Sequence, residues 1–149
     1  MKKSQRLQMV TDIKETQAKA ALEAFAVAQR KFSELQAQLE NLRVYRMEYQ
    51  DKFNRLGSGG VKVAQMLEYR SFIEKLDKAI AGQEQTLSML DAEKTLKRKR
   101  WEDLHFRAQG LQKISTAALV TEMKQEDKRE QVEQDERAGR LGRDVSVGT

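Results

Sequence analysis

The chain has 149 residues, among them no cysteine, no proline and a single histidine. Without cysteine there can be no disulfide and no thiolate metal site, and one histidine cannot form a histidine cluster. The lack of proline favours long helices, because a proline inside a helix costs about 3 kcal/mol. These absences exclude a disulfide-stabilised fold and favour an uninterrupted helical one.

Aromatic residues and long apolar runs are also scarce. Aromatics make up 6% of the chain and charged residues 34%. No segment approaches the roughly 20 apolar residues that span a bilayer, and residues 1–10 lack the apolar stretch of a signal peptide. We therefore expect a soluble, cytoplasmic protein without a thick hydrophobic core.

The net charge of +5 is unevenly distributed. Lys and Arg outnumber Asp and Glu by 11 to 7 in residues 1–56 and by 11 to 8 in residues 61–120, whereas residues 121–149 carry 6 against 8. A basic body favours an acidic partner, which from charge alone could be protein, nucleic acid or lipid.

Two hydrophobic stripes at coiled-coil spacing dominate the sequence. Alternating steps of three and four give the first stripe: Ala18, Ala21, Phe25, Ala28, Phe32, Leu35, Leu39, Leu42, Arg46, Tyr49, Phe53 and Leu56. The same steps give the second: Met66, Tyr69, Ile73, Leu76, Ile80, Gln83, Leu87, Leu90, Lys94, Lys97, Trp101, Leu104, Ala108, Leu111, Ser115 and Ala118. A 3.5-residue period is typical of helices wound around each other.

Glycines separate the two stripes and predict a chain reversal. We predict an all-α protein whose residues 1–138 form an antiparallel coiled-coil hairpin. Helix 1 covers about 4–56, with Ser4 as N-cap, and helix 2 covers about 61–137. The turn contains Gly57, Gly59 and Gly60. Residues 139–149 are glycine-rich and aperiodic, so we predict a disordered tail.

A second, alanine-rich stripe lies beside the start of the first. It comprises Val10, Ile13, Gln17, Ala20, Ala24 and Val27. Such a broad face of small residues suggests either close helix packing or a surface that fits into another protein.

No constellation of residues points to catalysis. A two-helix protein offers no pocket that would assemble a catalytic triad, and His105 is best interpreted as a surface residue. The segment from Gly57 to Gly60 lacks the Lys-Ser/Thr ending of a phosphate-binding loop. We predict that the chain is not an enzyme and binds no cofactor and no metal.

A basic patch precedes the single tryptophan. It comprises Lys94, Lys97, Arg98, Lys99 and Arg100. Trp101 falls on the second stripe, which favours a packed ring over one that stacks on bases. A solvated face, a protein-docking surface and a nucleic-acid site all remain compatible with the patch, the last being the least favoured.

Two ladders of residues lie beside the stripes near the turn. They are Gln38, Leu42, Tyr45 and Tyr49 on helix 1, and Phe72, Leu76, Ala79 and Gln83 on helix 2. Leu42, Tyr49 and Leu76 also belong to the stripes, whereas Tyr45 and Phe72 stand one residue away. Either these two rings enlarge an exposed protein-binding patch, or they lie over the neighbouring helix.

Several motifs in order along the chain resemble the FliJ family, a coiled-coil component of the bacterial flagellar type III export apparatus. They are Arg6-Leu7-Gln8-x-Val10, Tyr45-Arg46-Met47-Glu48-Tyr49, Tyr69-x-x-Phe72-Ile73-x-x-Leu76-x-x-Ala79-Ile80, Trp101-Glu102 and Asp135-Glu136-Arg137-Ala138. Each motif is weak alone, but their order and spacing around one turn are fairly specific. The short, Lys/Arg-rich track before Trp101 departs from the family pattern. Stalk proteins of injectisome secretion systems are related.

The resemblance implies a hairpin similar to the rotor shaft of rotary ATPases. The end with both termini would enter the hexameric flagellar export ATPase and regulate it. The two ladders, Gln38, Leu42, Tyr45, Tyr49, Phe72, Leu76, Ala79 and Gln83, would bind the membrane export gate. Export chaperones would be further partners, and the protein would be monomeric when free, cytoplasmic and peripheral at the inner membrane of the flagellar base.

Two alternatives from other classes follow from the residues. A basic nucleic-acid-binding coiled coil would bind with an affinity that falls steeply with salt. A homodimeric structural scaffold would pair its stripes between two chains.

Overall fold

A computed structural model describes residues 1–57, 59 and 62–147, with side-chain environments up to Arg143. Helix α1 spans Lys3–Gly57 and helix α2 spans Val63–Val147. The two helices pack against each other, and the described residues contain no strand. The predicted class, an all-α helical hairpin, is confirmed.

The chain divides into two compact units, each containing part of both helices. The terminal unit comprises Met1–Ala18 and the chain from Asp103 onward, and the turn unit comprises Lys19–Glu102. In the turn unit Arg43 pairs with Glu84, and Lys94 lies over Phe32. Partner numbers in α2 rise as those in α1 fall, so α1 and α2 are antiparallel there.

In the terminal unit the helices are also antiparallel. The Oγ atom of Ser115 donates a hydrogen bond to Gln8 Oε1 at 3.2 Å, and the Oγ atom of Ser4 donates to Glu122 at 2.6 Å. Lys2 forms an ion pair with Glu126 at 3.7 Å. Again, lower numbers in α1 meet higher numbers in α2.

Both predicted stripes form the seam between the helices. Every stripe residue is buried or half-buried, including the polar positions Arg46, Gln83, Lys94 and Lys97. Leu39 is the most deeply buried large apolar side chain, with 1% of its surface exposed. The stripe prediction is therefore confirmed residue by residue.

The turn differs from the prediction in its use of glycine. The N–H of Gly59 donates to the carbonyl of Leu56 at 3.1 Å, and α2 begins where the amides of Gln65 and Met66 donate to Lys62. Neither Gly57 nor Gly59 adopts a left-handed backbone. The conformational freedom of glycine is thus not required at these two positions, and Gly60 lies outside the described residues.

Helix α1 begins at Lys3, so the predicted N-cap Ser4 is wrong. Ser4 lies within the helix, and its hydroxyl bonds to Glu122 rather than capping its own helix.

The end of α2 also differs from the prediction. Helix α2 ends at Val147, ten residues beyond the predicted end at Arg137, so residues 139–147 are helical where the sequence predicts disorder. Gly139 and Gly142 have open space around them. Glycine lowers helix propensity by about 1 kcal/mol but keeps its N–H, so it does not block the helical hydrogen bonds. Residues 148–149 of the predicted tail lie outside the described residues.

Candidate interaction surfaces

Aromatic rings from both helices form a cluster in the turn unit, which we call the aromatic cluster. Tyr49 lies 4.6 Å from Phe72, 5.0 Å from Tyr45 and 5.7 Å from Tyr69, measured between ring centroids. Tyr45 meets Phe72 edge-on at 6.1 Å. Edge-on and tilted rings at these distances attract each other beyond the apolar area they bury.

The cluster defines one side of the turn unit. Tyr45 and Phe72 each come one residue before a seam residue, and their rings are in contact. Residues of either helix that come one before a seam residue therefore lie on the same side of the turn unit, which we call the aromatic side. Arg43 and Glu84 each come one residue after a seam residue, and their 3.1 Å ion pair marks the opposite side. Arg46 and Asp77 are also paired on that opposite side.

The two predicted ladders lie on the aromatic side and the adjoining seam. Gln38, Tyr45 and Ala79 are exposed, and Leu42, Tyr49, Phe72 and Gln83 are half-buried. Leu76 is only 7% exposed because it belongs to the seam, so its side chain packs beneath the exposed residues of the ladders. The structure thus brings the two ladders together. The Phe72 ring lies over the neighbouring helix α1, whereas the Tyr45 ring stays 42% exposed on the surface.

Two polar groups of the turn unit stand out, the hydroxyl of Tyr45 on the aromatic side and the side-chain oxygen of Gln83 in the adjoining seam. A hydrogen bond with Tyr49 raises the pKa of the Tyr45 hydroxyl above its ordinary value, and partial desolvation adds to this effect. The side-chain oxygen of Gln83 is buried and has no hydrogen-bond partner among the described residues. A buried acceptor without a partner is costly.

The ion pair on the opposite side is a surface interaction. A hydrogen bond from Arg46 lowers the pKa of the Asp77 carboxyl and, reciprocally, raises the pKa of Arg46. About half of the Asp77 side chain is exposed. Exposed pairs of this kind contribute little to stability, so Arg46 and Asp77 act mainly to align the helices.

The basic patch divides between the seam and the surface. Lys94 is half-buried, with its ammonium 4.0 Å above the Phe32 ring and 3.3 Å from Asp91 of its own helix. Its aliphatic stem can therefore lie in the seam while its charge stays satisfied. Arg98 pairs with Glu102 at 3.8 Å. No described acidic side chain forms an ion pair with Lys97, Lys99 or Arg100.

In the terminal unit, the α1 side of the seam is largely polar and extends beyond the predicted stripe. Stepping back from Ala18 by four and three reaches half-buried or buried Lys14, Thr11, Leu7 and Ser4. Thr11 is fully buried, and its hydroxyl donates to the carbonyl of Leu7 at 2.7 Å. The 3.5-residue period would have found these positions, but their polar side chains hid them from a search for apolar residues.

The outside of the terminal unit carries large apolar side chains. Val10 and Ile13 on α1, and Phe106 and Ile114 on α2, are 44–65% exposed. Lys3, Ile114 and Thr121, each of which comes one residue before a seam residue, line one groove. In this unit, residues of α1 and α2 that come one before a seam residue therefore lie on the same side. Val10 also precedes a seam residue, Thr11. The alanine-rich stripe is thus mostly exposed, in agreement with a surface that fits another molecule.

The described residues contain neither a cluster that could bind a metal ion nor a helix that could span a membrane. Among the described residues, no three acidic or histidine side chains converge where a metal ion could bind. No helix in the described ranges is long and apolar enough to cross a membrane. What the structure provides instead is a helical hairpin with separate candidate docking surfaces on its two units.

The described residues place the protein in the class of all-α helical hairpins. Comparison with known sequences gives the family. The family described as "Flagellar FliJ protein" matches residues 2–145. The curated Flagellar FliJ protein of Escherichia coli (strain K12) is 27% identical over 127 residues, covering 83% of this chain and 86% of the relative. No solved structure matches the chain.

The chain belongs to the FliJ family, because the family match covers nearly its whole length. It is therefore a component of the flagellar export apparatus.

Proposed function

We propose that the chain is a non-enzymatic regulator of the export ATPase ring, with its terminal unit as the part that enters the ring. The observation that carries this proposal lies in the terminal unit, where α1 contributes mostly small or polar side chains to the seam and large apolar side chains of both helices are exposed outside it. A helix pair normally buries its large apolar side chains. The large apolar side chains left outside form a surface that a partner protein can cover.

The exposed residues of the terminal unit suit a protein partner. Ile13, Phe106 and Ile114 are each more than half exposed. Apolar and aromatic side chains of this size supply most of the binding energy in protein interfaces, whereas nucleic-acid contacts rely on cations. A ring with an apolar or acidic inner surface would cover such residues. The unpaired cations Lys97 and Arg100 would speed its association with an acidic partner.

The test of this proposal is ATP turnover by the cognate export ATPase titrated with the full chain. We expect turnover to rise with added wild-type protein. Replacing Ile114 by Ser should weaken this effect by about tenfold in half-maximal concentration, the order expected for one interface anchor. The matched control is Leu96→Ser, an equally apolar and exposed side chain of the turn unit.

Two results would contradict the regulator role. One is unchanged ATP turnover at saturating chain under conditions where the ring assembles. The other is an equal loss for Ile114→Ser and Leu96→Ser, since the effect would then not belong to the terminal unit. Circular dichroism of each variant shows whether helicity is kept.

We further propose that the aromatic side of the turn unit binds the export gate. Tyr45 and Phe72 present ring surface there, and the buried oxygen of Gln83 lacks a partner among described residues. An apolar segment of the partner would cover the exposed ring surface. Export chaperones are proposed as additional partners, and a position at the cytoplasmic face of the inner membrane follows from contact with the gate. The free chain is proposed to be monomeric.

Binding to the cytoplasmic domain of the gate protein tests this assignment. We expect Tyr45→Ala and Phe72→Ala each to weaken binding and to reduce motility. Met47→Ala is the control, because Met47 is exposed on α1 of the same unit but follows a seam residue and so lies away from the aromatic side. If Met47→Ala weakens binding as much as Tyr45→Ala, the gate contacts a different face.

A further inference from the structure

The first turns of α1 are attached to α2 by a set of polar contacts, which we call the terminal latch. The set comprises Ser4 and Gln8 on α1, and Gln112, Ser115 and Glu122 on α2. Gln8 and Gln112 face each other with side-chain N–O distances of 3.4 Å in both directions. The hydroxyl of Ser115 lies within hydrogen-bond reach of Gln8 Oε1 and of the Ser4 carbonyl, at 3.2 and 3.3 Å.

Glu122 makes the shortest contact of the latch and acts as the N-terminal cap of α1. Its carboxylate accepts one hydrogen bond from the Ser4 hydroxyl at 2.6 Å and a second from the Ser4 backbone N–H at 3.1 Å. The first amides of a helix have no partner inside the helix and are normally capped by a side chain of the same segment. Here a carboxylate from the neighbouring helix does so, which joins the start of α1 to α2.

Hydrogen bonds from Ser4, with a smaller effect from Lys2, favour the ionised form of Glu122. Lys2, Glu126 and Arg129 line a groove beside it, and Lys3 lines the groove on its other side. The hydrogen bond from the Ser4 hydroxyl lowers the pKa of Glu122, the backbone hydrogen bond lowers it further, and Lys2 adds a smaller effect. The latch is therefore charged and complete at neutral pH.

Little apolar surface supports this attachment. The seam positions of α1 in residues 3–14 are Ser4, Leu7, Thr11 and Lys14, of which only Leu7 is a large apolar side chain. In the turn unit, residues 32–42 contribute Phe32, Leu35, Leu39 and Leu42 over a similar length. Because buried apolar area is the main stabilising term, residues 3–14 separate from α2 at a much lower free-energy cost than residues 32–42.

We propose that residues 3–14 are a releasable segment that leaves α2 as a unit while the turn unit stays folded, and that Glu122 is the residue that holds it. Releasing the segment frees Val10 and Ile13, which are already exposed, from the fixed geometry that α2 imposes. This inference deepens the proposed function, since it makes the ring-binding end adjustable, but its test requires no ATPase.

Amide hydrogen exchange of the isolated full chain, followed by mass spectrometry or NMR, tests the proposal. We expect amides of residues 8–14 to exchange on the order of a hundredfold faster than those of residues 32–42, relative to their intrinsic rates. Glu122→Gln should speed exchange in residues 8–14 by roughly five- to tenfold, as the loss of a helix cap does. Exchange in residues 32–42 should not change.

The control variant is Glu126→Gln. Glu126 is four residues away on the same face of α2 and forms a surface ion pair with Lys2 at 3.7 Å. We expect a change of less than about twofold in residues 8–14, because exposed ion pairs contribute little. A Ser4→Ala variant, which removes the 2.6 Å hydrogen bond from the other partner, should reproduce the effect of Glu122→Gln.

Three outcomes would overturn the releasable segment. They are equal protection of residues 8–14 and 32–42 in the wild-type chain, equal acceleration of both segments by Glu122→Gln, and equal effects of Glu122→Gln and Glu126→Gln. The ATPase titration is a separate experiment. A negative ATPase result would therefore not affect the conclusion from hydrogen exchange, and a negative exchange result would not affect the conclusion about ATPase regulation.

Discussion

Leu76 and Phe72 are close in sequence, but their truncation should have different consequences. Leu76 is 7% exposed in the seam, whereas Phe72 is half-buried on the aromatic side. We predict that Leu76→Ala mainly destabilises the turn unit and that Phe72→Ala mainly removes surface for a partner. A double variant would combine lost stability with lost binding surface, and it could not show which substitution caused which effect.

The expected magnitudes follow from burial. Leu→Ala changes in cores cost about 2–5 kcal/mol, and a seam between only two helices can relax, so we expect about 2–3 kcal/mol for Leu76→Ala. Phe72 leaves part of its ring in solvent and should cost about 1–2 kcal/mol, from lost contact with Tyr45 and Tyr49. With a urea dependence of roughly 2 kcal/mol per molar, the midpoints should shift by about 1–1.5 M for Leu76→Ala and about 0.5–1 M for Phe72→Ala.

Urea unfolding followed by circular dichroism measures the stabilities, and binding to the gate domain is measured without urea. Leu76→Ala should bind nearly normally once the folded fraction is taken into account, whereas Phe72→Ala should not. An unmoved midpoint for Leu76→Ala together with lost binding would refute the reasoning, because Leu76 would then contact the partner directly rather than fill the seam.

Three further predictions concern stability. Gly82→Ala should raise the free energy of unfolding by about 0.5–1 kcal/mol, because the position is helical and a Cβ there meets open space; thermal unfolding checks this, and a loss of stability would mean a hidden contact. The pKa values of Asp77 and Glu122 are lowered by hydrogen bonds in the folded state, so their contribution is present above the ordinary carboxyl pKa and is lost as the pH falls from about 5 through the lowered values. Unfolding midpoints across this range should fall less steeply in Asp77→Asn than in the wild type, and an unchanged slope would argue against the pairing with Arg46. Ending the chain after Arg137 should change the midpoint little, since residues 123–143 are exposed throughout and an exposed interaction such as that of Arg143 contributes little; a clearly lower midpoint would show that the removed residues stabilise the fold.

The basic patch illustrates how structure separates residues that look alike in sequence. Lys94 and Lys97 fall on seam positions and are half-buried, while Lys99 and Arg100 are fully on the surface. The period predicts this division. It does not predict that Lys94 would place its charge over Phe32, which depends on the register between the helices.

The sequence alone determined the fold class, the seam and the approximate ends of α1. Period, glycine position and the absence of proline are local properties, and a two-helix seam leaves few alternative ways to bury a stripe such as the one that includes Leu39. The sequence did not predict the polar seam of residues 4–14, because a pattern of hydrophobic residues does not identify Ser4 or Thr11 as interior.

Only the tertiary structure decided which residues beside the seam share a side and which reach across to the other helix. The meeting of Tyr45 with Phe72, the exposure of Ile13 and Ile114, and the capping of Ser4 by Glu122 all depend on the register of two antiparallel helices. Register is set by the sum of many contacts between residues far apart in the chain. No local pattern contains that sum, so the docking surfaces and the terminal latch became visible only once the helices were placed together.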